Sequence, residues 1–512
     1  MNKKVLTGCL GIMAVITLMS ACSSENDGVD NKKEQPTTAY QWSKDGGLKA
    51  CNQILFNNGK EAPDGTDIGN GDQEFVFTGK QTIKKGTYTL KGWVYIANGA
   101  ELTIEPGTVI KGDKNTKASL IVERGGKILA QGTATAPIVF TSAQAAGSRK
   151  PGDWGGIILC GKARNNQKEM QIEGGPRTKH GGETDSDNSG ILSYVRIEFA
   201  GYPFQKDQEI NGLTLASVGS GTKLDHIQVS YSNDDSYEWF GGTVNCKYLI
   251  AFKGWDDDFD TDNGYSGNVQ FGLSVRDPKI ADNSMSNSFE SDNCADGATV
   301  SPWTTATFSN ITIIGPKYGN PSFNNDKSYI TGGQMNPNNG SALGKFQSAI
   351  QIRRNSRLNC FNSVAVGFPI GLLLDNQKGD TQGSATKGLL NLKNIWLAGM
   401  DITGSDANKL FDNVLVSGYD SNSKPVTDSK QKSFTATFFE KQEGNKVVQD
   451  PATLLLDTQY RPQASSPLLS AASFLNKMLA SGFDKVDYVG AFRSNDNWTD
   501  GWTNFNPENT AY

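Results

Sequence analysis

The densest cluster of ionisable side chains lies in KGWDDDFDTDNGY, residues 253–265. Five aspartates fall within seven residues there, and like charges this close repel one another unless a cation or a basic group offsets the repulsion. Asp258, Asp260 and Asp262 alternate with other residues, and Ca²⁺ takes about six to eight oxygen ligands of the kind that such spacing supplies. The segment therefore predicts a calcium site, with the expected ligands Asp257, Asp258, Asp260 and Asp262.

Catalysis is a second chemistry open to these acids. NDDSYEWF carries an aspartate pair that precedes the pair in GWDD by 22 residues, so the two pairs would stack on neighbouring repeats. Inverting glycoside hydrolysis needs two carboxyl groups about 6.5–9.5 Å apart, and a calcium-dependent lyase needs a base, for which Arg353 and Arg354 are candidates. The candidate catalytic residues are Asp234, Asp235, Asp256 and Asp257.

Ligand binding is a third possibility, because aromatic residues alternate with the acids. Trp239, Trp255 and Tyr265 would offer flat apolar faces beside the carboxylate of Glu238, a combination suited to a glycan or a peptide. Solvated turns are the fourth possibility, since turns favour Asp and Asn. That explanation accounts poorly for five aspartates in seven residues.

An internal repeat indicates what must position these residues. LDHIQVSYSNDD (224–235) matches CKYLIAFKGWDD (246–257) at an offset of 22, and NVQFGLSV (268–275) is expected to follow at the same offset. The offset predicts that Ile227, Leu249 and Phe271 stack, as do Val229, Ala251 and Leu273. Short alternating segments that end in Gly, Asn or Asp, without helical periodicity between them, predict an all-β, single-stranded, right-handed parallel β-helix of about 22 residues per coil.

A second repeat predicts a corner of that solenoid. FSNITIIG, LKNIWLAG and FDNVLVSG share one asparagine position, and we expect Asn310, Asn394 and Asn413 to form a structural ladder. At the C-terminal end, residues 465–483 have the pattern of one amphipathic helix. Trp498 and Trp502 with Phe505 are expected to cap the open end of the solenoid.

The N-terminus predicts export. Lys3 and Lys4 precede an apolar stretch that ends in small residues, as in a secretory signal peptide. Removal of residues 1–21, which carry two lysines and no acid, would take the formal charge from −5 to −7, which disfavours nucleic-acid binding. The chain has two histidines and no CxxC pair, so neither a multi-histidine metal site nor a zinc knuckle is expected.

Several motifs resemble those of known families. MSAC at residues 19–22 resembles a bacterial lipobox, which implies cleavage before Cys22 and lipidation of its thiol. NDDSYEWFGG, GWDDDFDTDNGYSGNVQFGLSVRD, SFESDN and NWTDGWTNFNPENTAY resemble Bacteroidota outer-membrane β-helix lipoproteins. The resemblance covers nearly all of the mature chain. It implies a lipid-anchored protein on the cell exterior beside SusC/SusD-type nutrient importers.

We therefore expect an accessory surface lipoprotein that binds glycan or peptide for an importer and holds Ca²⁺. A calcium-dependent polysaccharide lyase or glycoside hydrolase on a pectate-lyase-like β-helix, and a purely structural subunit, are the alternatives. The predicted organisation is a signal peptide (1–21), a tether (22–48), the β-helix with its N-terminal cap (49–420) and a C-terminal segment with one helix and a Trp-rich capping tail (421–512). The pairing of Cys51, Cys160, Cys246, Cys294 and Cys360 is left open by the sequence.

Overall fold

The computed structural model describes residues 39–42, 48–51, 67–205, 208–406, 415–422, 425–428 and 431–512. Contacts divide the chain into two compact units, residues 1–35 and 36–512, and all described residues belong to the second. The predicted signal peptide, the lipidation site Cys22 and Asn413 lie outside the described residues. No helix in the described part of the chain has the length and apolar character needed to cross a membrane.

Strands dominate the described residues. The first are β1 (Ala39–Trp42), β2 (Leu48–Cys51), β3 (Asp67–Ile68), β4 (Phe75–Phe77), β5 (Lys80–Ile83), β6 (Thr87–Leu90), β7 (Trp93–Ile96), β8 (Glu101–Ile104), β9 (Val109–Gly112), β10 (Ser119–Val122), β11 (Lys127–Gln131) and β12 (Ile138–Ser142). The next are β13 (Gly156–Cys160), β14 (Met170–Gln171), β15 (Lys179–His180), β16 (Gly190–Glu198), β17 (Pro203–Gln205), β18 (Gln208–Glu209), β19 (Leu213–Ala216), β20 (Lys223–Ser230), β21 (Tyr237–Phe240), β22 (Asn245–Phe252), β23 (Phe259–Asp262), β24 (Asn268–Val275) and β25 (Phe289–Ser291).

The remaining elements include the only two α-helices of the described residues. They are β26 (Thr307–Ile314), β27 (Ser348–Ile352), β28 (Asn359–Val366), β29 (Ile370–Leu374), α1 (Thr381–Thr386), β30 (Leu392–Ala398), β31 (Ser405–Asp406), β32 (Leu415–Tyr419), β33 (Pro425–Asp428), α2 (Phe434–Lys441) and β34 (Lys446–Val448). Short 3₁₀ helices cover Gly333–Met335, Pro451–Leu454, Pro467–Ser470, Lys477–Leu479 and Pro507–Asn509.

The strands form the faces of a solenoid. A first sheet runs β2-β1-β4-β7-β10-β13-β19-β21-β23-β25-β27-β29-β31. A second runs β3-β6-β9-β12-β16-β20-β22-β24-β26-β28-β30-β34, and β5, β8 and β11 form a third face that joins it at β16. From β4 onward neighbouring strands on these faces are parallel. The predicted right-handed parallel β-helix is confirmed.

Residues alternate between the interior and the outside of each coil because strand side chains point to opposite faces in turn. In β23, Phe259 and Thr261 are buried, whereas Asp260 and Asp262 point outward and are partly exposed. Inside the solenoid, Phe259 stacks between Tyr237 and Phe289, with ring centroids 5.7 and 5.2 Å apart.

The predicted stacking is partly right. Ile227 pairs with Leu249, and Val229 pairs with Ala251, as the offset of 22 requires. On the next coil, however, Leu249 faces Gly272 and Ala251 faces Ser274. The expected stacking of Phe271 and Leu273 is therefore wrong by one residue, because the turn before β24 is one residue longer than the turn before β22.

One corner of the solenoid is a ladder of residues with positive φ. Asn310, Asn362 and Asn394 have φ of 60°, 48° and 57°, and Asn394 Nδ2 donates to Asn362 Oδ1 at 2.8 Å. Asparagine tolerates this left-handed conformation better than most residues, so the structural role predicted for Asn310 and Asn394 is confirmed. On earlier coils aromatic rings take the same position and stack, with His226 4.2 Å from Tyr194.

The C-terminal segment differs from both predictions made for it. Residues 465–483 contain two short 3₁₀ helices rather than one amphipathic helix. Between them the backbone binds the asparagine ladder, because Asn362 Nδ2 donates to the carbonyl of Ser473 at 3.0 Å and Asn362 Oδ1 accepts from its N–H at 2.9 Å. Side chains of the solenoid thus hold an irregular, non-helical backbone where the sequence alone favours a helix.

The tryptophan cluster covers a side of the solenoid, so its predicted capping role is wrong. Trp502 is fully buried, and its ring centroid lies 5.8 Å from that of His226. The Trp498 ring lies 5.4 Å from the ring of Tyr248, and Phe505 packs edge-on against Phe252 of β22, with ring centroids 5.1 Å apart. Helix α2 instead contributes Phe438 and Phe439 to the hydrophobic core near the last coils. Strand β34 extends the β-helix beyond the predicted boundary at 420, and β1 lies within the predicted tether.

Candidate functional site

Three acids lie in register on the outer face of the first sheet. Glu238 of β21 pairs with Asp260 of β23, and Asp260 pairs with Glu290 of β25. Parallel strands lie about 4.8 Å apart, so each coil adds one carboxylate to the column. We call Glu238, Asp260 and Glu290 the acid column.

A second set of acids lies in the turns that lead into β21 and β23. The backbone N–H of Asp257 donates to Asp235 Oδ1 at 2.8 Å, and the N–H of Asn287 on the next coil donates to Asp257 Oδ1. The turn carboxylates are therefore ordered by the backbone of the following coil. The offset of 22 residues places Asp234 and Asp235 next to Asp256 and Asp257, as predicted.

The acid column and the turn acids line one cavity of about 830 Å³. Its carboxylate residues are Glu173, Asp234, Asp235, Glu238, Asp256, Asp257, Asp260, Asp282 and Glu290. Asn339, Ser341 and Ser284 bring amide and hydroxyl groups to the wall, Phe204 brings an aromatic ring, and Arg353 is the basic residue of the lining. We call this space the acidic cavity.

Burial and mutual repulsion disfavour the charged forms of these carboxyl groups. Burial, and then the charge of Asp282, raises the pKa of Asp256 to about 8. Burial followed by neighbouring carboxylates raises the pKa of Asp235 and Asp260 well above the usual range. At neutral pH the cluster therefore retains protons unless a cation replaces them.

Two groups of three carboxylates have the spacing of cation sites, and they share Asp235. Asp234, Asp235 and Asp256 form one group, and Asp235, Glu238 and Asp260 form the other; within each group the candidate ligand oxygens lie within 4.8 Å of one another. Asp256 Oδ1 and Asp260 Oδ1 are buried and have no hydrogen-bond partner among the described residues. Since buried polar atoms rarely remain unpaired, the residues present fit a hard divalent cation such as Ca²⁺.

The structure brings together only some of the predicted metal ligands. Asp257 and Asp260 line the cavity, whereas Asp262 lies one outward position further along β23 and is not in the lining. The prediction that Asp258 is a metal ligand is wrong, because its side chain is fully buried and its Oδ1 lies 2.8 Å from Nη1 of Arg276. Asp258 precedes the strand, so the alternation that aims Asp260 and Asp262 outward does not extend to it.

The predicted aromatic platform is also wrong. Trp239, Trp255 and Tyr265 are fully buried, and Trp239 stacks on Tyr265 with centroids 5.3 Å apart. Strand alternation explains the difference for Trp239, because it follows the outward-facing Glu238 and therefore points into the solenoid. Of the predicted ligand-binding residues, Glu238 alone reaches the cavity.

The cavity also contains residues that the sequence did not single out. Asp282 and Ser284 come from the excursion between β24 and β25, and Ser284 Oγ donates to Asp256 Oδ2 at 2.6 Å. Glu173 comes from a distant excursion between β14 and β15. Irregular segments carry no repeat that could align them with the coils, so sequence spacing held no signal for these positions.

Arg353, a candidate base, does reach the edge of the acidic cavity. Its side chain pairs with Glu290, and its Nε lies 2.9 Å from Asp292 Oδ1. Despite burial, these two carboxylates raise the pKa of the guanidinium well above its usual value. Arg353 therefore remains charged and is poorly suited to accept a proton.

Sequence comparison identifies the domain. A family model for the pectate-lyase-like beta helix domain matches residues 76–449. The chain belongs to this family. No curated protein matches it significantly. Among solved structures, the crystal structure of pectate lyase Pel9A aligns with 13% identity over 78% of this chain and 89% of that chain, with a TM-score of 0.39.

Proposed function

We propose that the protein is a calcium-dependent glycan-binding protein, in which the acidic cavity holds the cation and meets the ligand. One observation carries the proposal: Asp256 Oδ1 and Asp260 Oδ1 are buried without a hydrogen-bond partner among the described residues. Each belongs to one of the two carboxylate groups. Cations bound in these groups would satisfy the two oxygens and offset the repulsion around Asp235.

The chemistry of the wall favours a glycan over a peptide. Carboxylates together with Asn339, Ser341 and Ser284 supply many hydrogen-bond acceptors and several donors, which suits a ligand rich in hydroxyl groups. Apart from Phe204, the lining has no large apolar side chain to take the anchor residues of a peptide. Membership of the pectate-lyase-like family agrees with a carbohydrate ligand.

A glycan-binding screen tests this proposal. The purified protein is applied to an array of neutral and acidic polysaccharides, once with excess Ca²⁺ and once with EDTA. We expect binding that depends on Ca²⁺ and that Asp260→Asn weakens by about tenfold or more, because a neutral amide is a poorer cation ligand. Asp500→Asn, at an exposed carboxylate, is the matched control. Absence of Ca²⁺-dependent binding across the array would refute the proposal.

A catalytic role is the second candidate, and the pKa of Asp256 favours it. A carboxyl group with a pKa of about 8 keeps its proton at neutral pH and can act as a general acid. The oxygens of Asp235 and Asp256 that lie within 4.8 Å are, however, closer than the separation of an inverting pair. Incubation with the polysaccharides bound on the array tests for released oligosaccharides. Release of oligosaccharides by the wild type would establish catalysis, and its loss in Asp256→Asn would support Asp256 as the acid.

The place of the protein in the cell is a separate part of the proposal. The lipobox-like MSAC supports a lipid anchor on Cys22, and the family resemblance supports exposure on the outer membrane beside a SusC/SusD-type importer. Labelling with a fatty-acid analogue in cells should modify the wild type and not Cys22→Ser. Protease treatment of intact cells tests surface exposure, and co-purification tests the importer as a partner.

A further inference from the structure

A smaller pocket of about 300 Å³ lies beside the acidic cavity on the outer face of the first sheet. Its floor is formed by Trp93 and Tyr95 of β7, whose neighbours Val94 and Ile96 point into the core. Phe204 of β17 forms a wall that this pocket shares with the acidic cavity. The two spaces are therefore adjacent, and the size of the smaller one is at the lower end for ligand pockets.

The aromatic side chains of this pocket are held in place. Trp93 Nε1 donates to the carbonyl of Lys117 at 3.0 Å, and the ring of Phe204 meets the Trp93 ring edge-on, with centroids 4.9 Å apart. Gly175 passes over the floor with φ +100°, and a Cβ there would lie 3.2 Å from Cη2 of Trp93. The glycine thus lets the backbone pack directly against the edge of the indole, which a side chain at this position would crowd.

The polar groups of the pocket are close to balanced in charge, unlike those of the acidic cavity. The Arg177 guanidinium stacks on Tyr95 at 4.7 Å from the ring centroid and lies 2.9 Å from a carboxylate oxygen of Glu123. Glu74 and Gln73 complete the lining with acceptor oxygens. Trp93 and Tyr95 are only 5% and 1% exposed, so they support the pocket from below, and the partly exposed ring of Phe204 supplies its apolar surface. That ring, bordered by a few fixed polar groups, suits the apolar face and the hydroxyl groups of a neutral sugar ring.

We propose that the pocket of Trp93, Tyr95, Phe204 and Arg177 binds a neutral sugar ring of a glycan whose other end lies in the acidic cavity. Placement of the other end of the glycan in the acidic cavity rests on the proposed function, whereas binding of the sugar ring in the smaller pocket does not require Ca²⁺. Phe204 lies between the two sites and contributes to both. Affinity should therefore depend on glycan length, because only a chain that spans both spaces gains both sets of contacts.

Ligand-observed NMR with the full chain tests this subsite. The probes are gluco-, manno- and galacto-oligosaccharides from disaccharide to hexasaccharide, each measured in EDTA and in excess Ca²⁺. We expect at least one series to bind the wild type weakly in EDTA, and Phe204→Ala to lower that affinity about threefold to tenfold through lost aromatic contact. Phe505→Ala, which removes a partly exposed phenylalanine packed on Phe252, should leave it unchanged.

The two proposals fail in different ways. No binding by the wild type in EDTA, or equal binding by Phe204→Ala, overturns the subsite. If Phe204→Ala does not fold, Glu74→Gln replaces it, and undiminished affinity in that variant is the overturning result. Ca²⁺ should tighten binding of the longer oligosaccharides only, and Asp260→Asn should abolish that gain. Phe204-dependent binding without any gain from Ca²⁺ would support the subsite and refute the calcium-dependent function.

Discussion

Removal of divalent cations should reverse the pH dependence that acidic groups usually give to protein stability. In the folded protein the pKa of Asp256 is about 8, against a usual value of 3.8. Between these values the folded protein keeps a proton that the unfolded chain has released. The free energy of unfolding in EDTA should therefore fall as pH rises.

The expected magnitude follows from proton linkage. Between its pKa in the unfolded chain and its pKa in the folded protein, one carboxyl group lowers the free energy of unfolding by about 1.4 kcal/mol per pH unit. Asp256 alone should therefore lower the free energy of unfolding by about 2.7 kcal/mol from pH 5 to pH 7. The raised pKa values of Asp235 and Asp260 act in the same direction. Ca²⁺ at about one hundred times its Kd should restore roughly 2.7 kcal/mol at pH 7, and less at pH 5, where protons compete for the carboxylates.

Urea unfolding at fixed ionic strength measures these changes at pH 5, 6 and 7, with EDTA and with Ca²⁺. Asp256→Asn removes one titrating group and should make the fall in stability with pH in EDTA shallower by about 1.4 kcal/mol per pH unit, whereas Asp500→Asn should leave it unchanged. Stability in EDTA that stays constant or rises from pH 5 to pH 7 would refute the raised pKa values of the carboxyl groups in the acidic cavity.

Three further predictions concern residues whose roles the structure reassigns. Asp258→Asn should lower the free energy of unfolding by about 3–5 kcal/mol, because it leaves Arg276 buried without its charged partner; urea unfolding measures this, and an unchanged value would contradict the structural role. Trp239→Ala should lower the free energy of unfolding by about 3–5 kcal/mol, because it leaves a cavity in the core. The affinity of the folded variant for oligosaccharides, measured in EDTA, should stay within twofold of the wild type. A loss of affinity in a folded variant would support the predicted role of Trp239 in binding. Trp502→Ala should speed limited proteolysis within residues 484–512 before the β-helix is cut, and simultaneous cleavage of both would show that this segment does not detach by itself.

The sequence predicted the acids of the cavity better than its aromatic residues. The 22-residue offset aligned Asp234 and Asp235 with Asp256 and Asp257 because parallel coils of equal length place equivalent positions side by side. It could not tell that Trp255 and Tyr265 point inward, since both lie in turns where strict alternation does not hold. Arg276 was close in sequence to the acids, but only the fold shows that Asp258 is its partner.

By itself the sequence determined the coil, the asparagine ladder and the concentration of carboxylates on neighbouring rungs, because these depend on short repeats whose spacing is local. The tertiary structure decided which carboxylates share a cavity, through Asp282 and Glu173 on irregular excursions. It also decided that residues 465–512 run along the side of the solenoid, held by contacts such as that of Asn362 with Ser473. Such contacts join residues more than a hundred positions apart, and their free energy depends on burial and hydrogen bonding that exist only once the coils have stacked.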